Sequence, residues 1–180
     1  MKNLRGRDLG LPFTGRTGEH NAITDVPGVE VGYCTRIEGE PPLVQCSGPI
    51  RTGVTAILPL GHTIEPQPVW AGMYALNGNG EMTGTHWIHD GGYFVGPICI
   101  TNTHSVGMVH HAAVKWMIRT YAKAWQSEHL WAMPVVAETY DGVLNDINGM
   151  HITEADALSA LDMACSGPCL LYTSPSPRDS

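Results

Sequence analysis

The chain has 180 residues, enough for one domain with a sizeable core. Charged residues make up 15% against 43% hydrophobic, and 21 glycines with 13 prolines suit a compact, turn-rich fold better than a helical bundle or a disordered chain. A net charge of -7 without any Lys or Arg cluster excludes a polyanion-binding surface, so nucleic acid is not an expected partner.

The opening stretch, MKNLRGRDLGLPF, carries basic residues with no apolar run behind them, and no later run reaches the ~18 apolar residues of a membrane span. A cytoplasmic protein with no membrane partner is expected. Residues 29–37 (VEVGYCTRI) follow the turn Asp25-Val26-Pro27-Gly28 and are rich in β-formers, which predicts a strand. Residues 39–49 form a proline-bearing connection. Residues 52–60 and 69–76 are apolar runs of strand length that could be buried on both faces, with a proline-containing surface loop over 61–68 between them.

A short strand over 97–103 leads into a helical pattern from Ser105 to about Ala124, with Val106, Val109, Ala113, Trp116, Met117 and Tyr121 on one side and Lys115, Arg119 and Lys123 toward water. Such an amphipathic helix needs a sheet to pack on. Residues 133–140 return to strand character, and 153–164 read as a helix with Thr153 as N-cap and Glu154 and Asp156 in its first turn. No fixed-period repeat and no linker divides residues 1–168. The five cysteines, Cys34, Cys46, Cys99, Cys165 and Cys169, are scattered and odd in number, which favours buried free thiols over a zinc ribbon or a disulfide scaffold.

Three segments offer chemistry. Asn77-Gly78-Asn79-Gly80-Glu81-Met82-Thr83-Gly84 lets backbone approach backbone or ligand closely, yet has neither dinucleotide-binding spacing nor a phosphate-loop lysine. A tight turn leading into a helix is its plainer reading. His86, His89, Asp90, His104, His110 and His111 include the ligand types of a catalytic zinc, but nothing in their spacing fixes a site, and His110 falls on the buried side of the predicted helix. The third segment runs from Val135 to Gly142 and on to Asn145-Asp146-Ile147-Asn148-Gly149. On a strand over 133–140, Glu138 and Tyr140 share a face with Cα atoms about 7 Å apart, placing a carboxylate suited to an ammonium beside a phenol suited to a carbonyl oxygen. From spacing alone, a Glu and a Tyr on a solvated strand end is the favoured reading.

Read together, Asn21 to Val26 (NAITDV), Arg51 to Ala56 (RTGVTA), Leu76 to Trp87 (LNGNGEMTGTHW), Ile100 to Gly107 (ITNTHSVG) and Pro134 to Gly149 resemble the DmpA/BapA family of self-processing serine aminopeptidases, and the likeness covers nearly all of residues 1–168. The resemblance implies an α/β fold, an αββα sandwich of two sheets between helix layers, and a precursor that cleaves itself before a serine. That serine then serves as nucleophile on amides or esters of N-terminal amino acids. No metal or organic cofactor is implied; small peptides, amino-acid amides or esters are the implied substrates, and a homo-oligomer the implied assembly. By motif, Tyr140 corresponds to the catalytic phenol of the oxyanion hole and Glu138 to a substrate-binding partner for the ammonium.

Neither Ser105 nor Ser166 matches the cleavage position, so the nucleophile and a second oxyanion donor are expected beyond residue 168. Residues 1–168 are thus expected to be the N-terminal part of a single peptidase domain, inactive by itself. The abrupt Ser/Pro-rich change after Pro168 reads differently: back-translated, Cys169 to Asp179 resembles a sequencing-library adapter, so 169–180 is expected to be foreign sequence. Two other readings stand beside the aminopeptidase: a metal-dependent hydrolase built on the histidines, and a non-catalytic small-molecule-binding or assembly module of the same fold.

Overall fold

The computed structural model describes residues 6–127 and 130–167, so the segment expected to be foreign, 169–180, lies outside the described residues. Among the described residues, six strands and four α-helices follow in the order β1 (Glu30–Glu38), β2 (Ile50–Leu58), β3 (Pro68–Trp70), α1 (Thr85–Gly91), β4 (Tyr93–Val95), β5 (Ile98–Asn102), α2 (Val106–Thr120), α3 (Ala122–Ser127), β6 (Val135–Thr139) and α4 (Glu154–Asp162).

Four strands make one sheet in the order β1-β2-β5-β6, and β3 pairs with β4 in a separate two-stranded ribbon. β1 and β2 are antiparallel, from Glu30 opposite Leu58 to Glu38 opposite Ile50. β5 joins β2 antiparallel, whereas β6 runs parallel to β5 from Ile98 opposite Val135 to Asn102 opposite Thr139. A parallel neighbour needs a long crossover, and α2 is its body.

Alternation along the strands separates two faces. Val54, Ala56, Leu58, Cys99 and Val136 pack with Val109, Ala113, Trp116 and Met117 of α2 and with Ala157, Ala160 and Leu161 of α4. Each large side chain buried here stabilises the fold by about 1.5–3 kcal/mol. The Trp116 indole N–H is satisfied by Asp162 Oδ1 at 2.9 Å. Gly32 makes the close approach of α4 to β1 possible, because a Cβ there would collide with the Ala160 carbonyl oxygen. Thr153 caps α4 as expected: Asp156 donates its N–H to Thr153 Oγ1, and Thr153 donates its own N–H to Asp156 Oδ2 at 2.8 Å.

The opposite face carries Tyr33, Ile57, Ile98, Ile100 and Ala137, all half-buried. Among the described residues a cluster covers it at β5 and β6, where Val135, with Ile98 beside it, meets Ile88 of α1 and Phe94 of β4. The fold is α/β, with one helix layer and one sheet layer of an αββα sandwich in place.

Several sequence expectations need correction. The run 69–76 is not a doubly buried strand: only Pro68–Trp70 pairs, with Trp70 86% exposed, because β4 is its sole partner and the chain beyond it runs out over the surface. The helix expected over 105–124 is broken at Tyr121, which leaves helical geometry (φ -99, ψ 28) where its buried ring stands edge-on to Trp116. α1 and β4 are too short to show a period in the sequence. Of the described cysteines only Cys99 is buried; Cys34 is intermediate, and Cys46 and Cys165 are exposed, all four being free thiols.

Candidate active site at the ends of two parallel strands

Because β5 and β6 are parallel and in register, they end side by side at Asn102 and Thr139, and the segments leaving them meet there. At the end of β5, Thr101 donates its hydroxyl to the Gly53 carbonyl at 3.1 Å and Asn102 Nδ2 donates to Thr52 Oγ1 at 2.8 Å. Asn102 Oδ1 accepts from Ser105 N–H at 3.1 Å and so starts the turn into α2.

The segment leaving β6 is held just as firmly. Asn145, almost fully buried, donates through Nδ2 to Asp141 Oδ1 at 3.0 Å and accepts the Arg51 N–H at 2.9 Å. Asp141 also bonds the Thr52 side chain, and burial pushes its carboxyl above the usual range. Asp146 accepts the Cys46 N–H at 2.8 Å and meets His151 Nε2 at 2.9 Å, while its own N–H donates to the Pro49 carbonyl at 2.9 Å. The His151 bond, with help from the Cys46 N–H, holds the Asp146 carboxyl below its ordinary value.

Tyr140 opens this segment. The strand stops at Thr139, so alternation does not set the direction of the Tyr140 side chain; the turn does. Its phenol is 70% exposed and folds back over Gly142, where a Cβ would come within 2.7 Å of Oη. Glu138, two residues after Val136, lies on the helix-covered face of the sheet. Its Oε2 is buried with no hydrogen-bond partner among the described residues.

The glycine-rich segment reaches the same place. Thr83 clamps it to β6, donating its hydroxyl to the Pro134 carbonyl at 2.7 Å and accepting the Val136 N–H at 2.8 Å. Glu138 N–H then bonds the Glu81 carbonyl at 3.2 Å, and Gly80 lies so near that a Cβ there would stand 3.1 Å from Glu138 Oε1. Two segments read separately in the sequence thus enclose one carboxylate, and Gly84 then starts α1 with φ +75.

The histidines do not converge: among the described residues no group of three His, Cys, Asp or Glu side chains could hold a metal ion. His110 is half-buried, and desolvation lowers its pKa. No described helix is long and apolar enough to cross a membrane.

A family model for peptidase family S58 matches residues 21–171. The chain belongs to peptidase family S58. It is 55% identical over 164 residues to the beta-peptidyl aminopeptidase BapA of Sphingosinicella microcystinivorans, an alignment covering 91% of this chain and 40% of that protein. Its structure superposes on the L-aminopeptidase D-Ala-esterase/amidase of Ochrobactrum anthropi, a variant of the Ntn-hydrolase fold, with a TM-score of 0.84 at 63% identity, covering 91% of this chain and 45% of that one. A beta-aminopeptidase from a Burkholderia species gives a TM-score of 0.78 at 47% identity, covering 92% and 44%. The chain therefore spans less than half the length of these family members.

Thr52, Asn102, Asp141, Asn145 and Asp146 all fall inside the motifs quoted from the sequence, but their supporting role was not read there. Asn and Asp usually mark exposed turns, and only the unusual density of polar residues over 141–148 hinted at a buried network.

Proposed function

We propose that this chain supplies the substrate-recognition half of a serine aminopeptidase, with Tyr140 as oxyanion donor and Glu138 as partner of the substrate ammonium. The observation that carries the reading is the buried, unpartnered Glu138 Oε2 beside the glycine segment. A buried carboxylate oxygen without a partner is costly, and a bound ammonium would satisfy it. A phenol exposed at the end of the neighbouring turn can donate to an oxygen that becomes negative during reaction. The activities of these relatives, beta-peptidyl aminopeptidase and L-aminopeptidase D-Ala-esterase/amidase, support this pairing.

In the proposed reaction a serine Oγ, supplied by sequence beyond residues 1–168, bonds to the acyl carbon of the amide or ester. The carbonyl electrons move onto oxygen, where the Tyr140 hydroxyl meets them. Collapse breaks the bond to the leaving group, which departs with the proton lost by the serine. Water then attacks the acyl-enzyme, releasing the amino acid and restoring the serine. The precursor exposes that serine by cleaving itself, so residues 1–168 alone are expected to turn over no substrate and not to self-cleave.

Glu138→Gln in the full-length protein tests the reading. Weaker binding of free-amine substrates, by about 1.5–3 kcal/mol, is expected with little change for N-acetylated ones. Unchanged discrimination between the two substrate types would refute the role.

A further inference from the structure

Beside Tyr140 lies a cleft of about 250 Å³ that Glu138 does not line. One wall is the segment after Tyr140, including Gly142, Ile147 and Asn148; the other is Leu43 and Gln45 from the connection between β1 and β2. We propose that this cleft receives the leaving group of the substrate and that Leu43 and Gln45 set which leaving groups are preferred. The proposal rests on the roles given above to Tyr140 and Glu138.

The second wall is built rather than incidental. Val44 and Gly48 close a tight turn through reciprocal N–H to carbonyl bonds of 2.8 and 3.1 Å, with Ser47 N–H also bonded to the Val44 carbonyl at 3.0 Å. Three bonds then tie this connection and the start of β2 to the Tyr140 segment: Cys46 N–H to Asp146 Oδ1, Arg51 N–H to Asn145 Oδ1 and Asp146 N–H to the Pro49 carbonyl. Asn145 and Asp146 are almost fully buried, so the two walls keep a fixed spacing while Leu43 and Gln45 stay exposed at the cleft.

The direction of the substrate follows from bond connectivity. The ammonium belongs to the acyl residue, so seating it at Glu138 turns that residue toward the glycine segment. With the carbonyl oxygen at Tyr140, the remaining bond of the acyl carbon, to the leaving group, points elsewhere. Tyr140 lines the cleft and Glu138 does not, which is the arrangement that bond requires. Leu43 and Ile147 give it apolar surface and Gln45, Asn145 and Asn148 neutral polar groups; its one acidic lining residue, Asp146, already has its carboxylate engaged by the Cys46 N–H and His151, and no Lys, Arg or His lines it. It suits an uncharged, partly apolar leaving group such as the amide of a second amino acid.

The test uses full-length protein and two substrate series, one varying the leaving group behind a constant alanyl residue, the other varying the acyl residue on a constant anilide. Leu43→Ala is expected to cut the preference for alanyl-leucinamide over alanyl-glycinamide by about tenfold in kcat/KM, as lost apolar side-chain surface does, with acyl preference unmoved. Gln45→Lys is expected to raise the ratio of alanyl-leucine to alanyl-leucinamide turnover several-fold, a gain that misfolding cannot produce. The proposal is overturned if neither ratio moves or if acyl preference moves instead. Tyr140→Phe separates the failures: full kcat in that variant removes the underlying reading, whereas a large loss of kcat together with unmoved leaving-group ratios removes this inference alone.

Discussion

The phenol of Tyr140 lies over Gly142, so that a Cβ at position 142 would stand 2.7 Å from Tyr140 Oη. A glycine two residues along the chain therefore leaves room for the hydroxyl to rest where it does. The phenol is the exposed end of a flexible side chain and can swing away, so Gly142→Ala should cost little stability. It should instead displace the hydroxyl. Tyr140→Phe is expected to lower kcat of the full-length enzyme by ~10²-fold or more, and Gly142→Ala by a smaller factor in the same direction. Because both act through one hydroxyl, the double variant should lose no more than Tyr140→Phe alone. Additive losses in kcat would show that Gly142 acts by another route.

Two carboxylates of the same turn should shape stability against pH in opposite senses. The pKa of Asp146 is lowered by His151, so the stability it contributes is present above its unfolded value and is lost as pH falls through the folded one. The pKa of Asp141 is raised by burial, so the folded state holds its proton more tightly and stability declines as pH rises from the unfolded value through the folded one. Urea titrations between about pH 3 and about pH 7 should show Asp146→Asn flattening the acid-side loss and Asp141→Asn flattening the decline. Identical profiles for parent and both variants would disprove these assignments.

What the sequence made legible follows from how far a pattern extends. β1, β2, β5, β6, α2 and α4 were readable because each carries a period or a cap, and Glu138 and Tyr140 stood out as candidates because chemistry-bearing residues sit close together along the chain. β3, β4 and α1 were not, since 3-residue strands and a 7-residue helix are placed by tertiary packing around Phe94 and Ile88. The same limit applies to the site. That Gly80 lies against Glu138 depends on Thr83 reaching β6 across 53 residues of chain, and that Asp146 fixes Cys46 depends on a span of 100. A helical stripe over 105–124 gave no warning of the break, because Tyr121 continues the apolar pattern while leaving the helix.

Gly32 offers a test of the helix–sheet packing that is independent of chemistry. Besides the Ala160 carbonyl oxygen, a Cβ there would stand 2.6 Å from Ala164 N and 2.9 Å from Ala164 Cα, all backbone atoms that no rotamer change can move. Gly32→Ala must shift α4 against β1, with an expected loss of about 1–3 kcal/mol by denaturant titration. The alanine's gain in strand propensity is too small to offset it. Parental stability in this variant would contradict the seating of α4.

The most discriminating variant for the glycine segment is Thr83→Val, which keeps the side-chain shape and removes only the hydroxyl. That oxygen donates to the Pro134 carbonyl and accepts from Val136 N–H, so its loss leaves two backbone groups at the edge of β6 without that partner, at about 1–3 kcal/mol for each that stays buried. The segment that ends in Gly80 and Glu81 is then less firmly held beside Glu138, whereas Tyr140 is held by the other turn and keeps its place. KM for substrates with a free ammonium should therefore rise several-fold, with kcat changed much less and N-acetylated substrates unaffected. Thr83→Ser restores the hydroxyl and should restore KM. A merely destabilised enzyme would lose active protein and lower kcat for every substrate alike, so an equal loss across free and acetylated substrates, or no rescue by serine, would show that Thr83 does not position the proposed ammonium site.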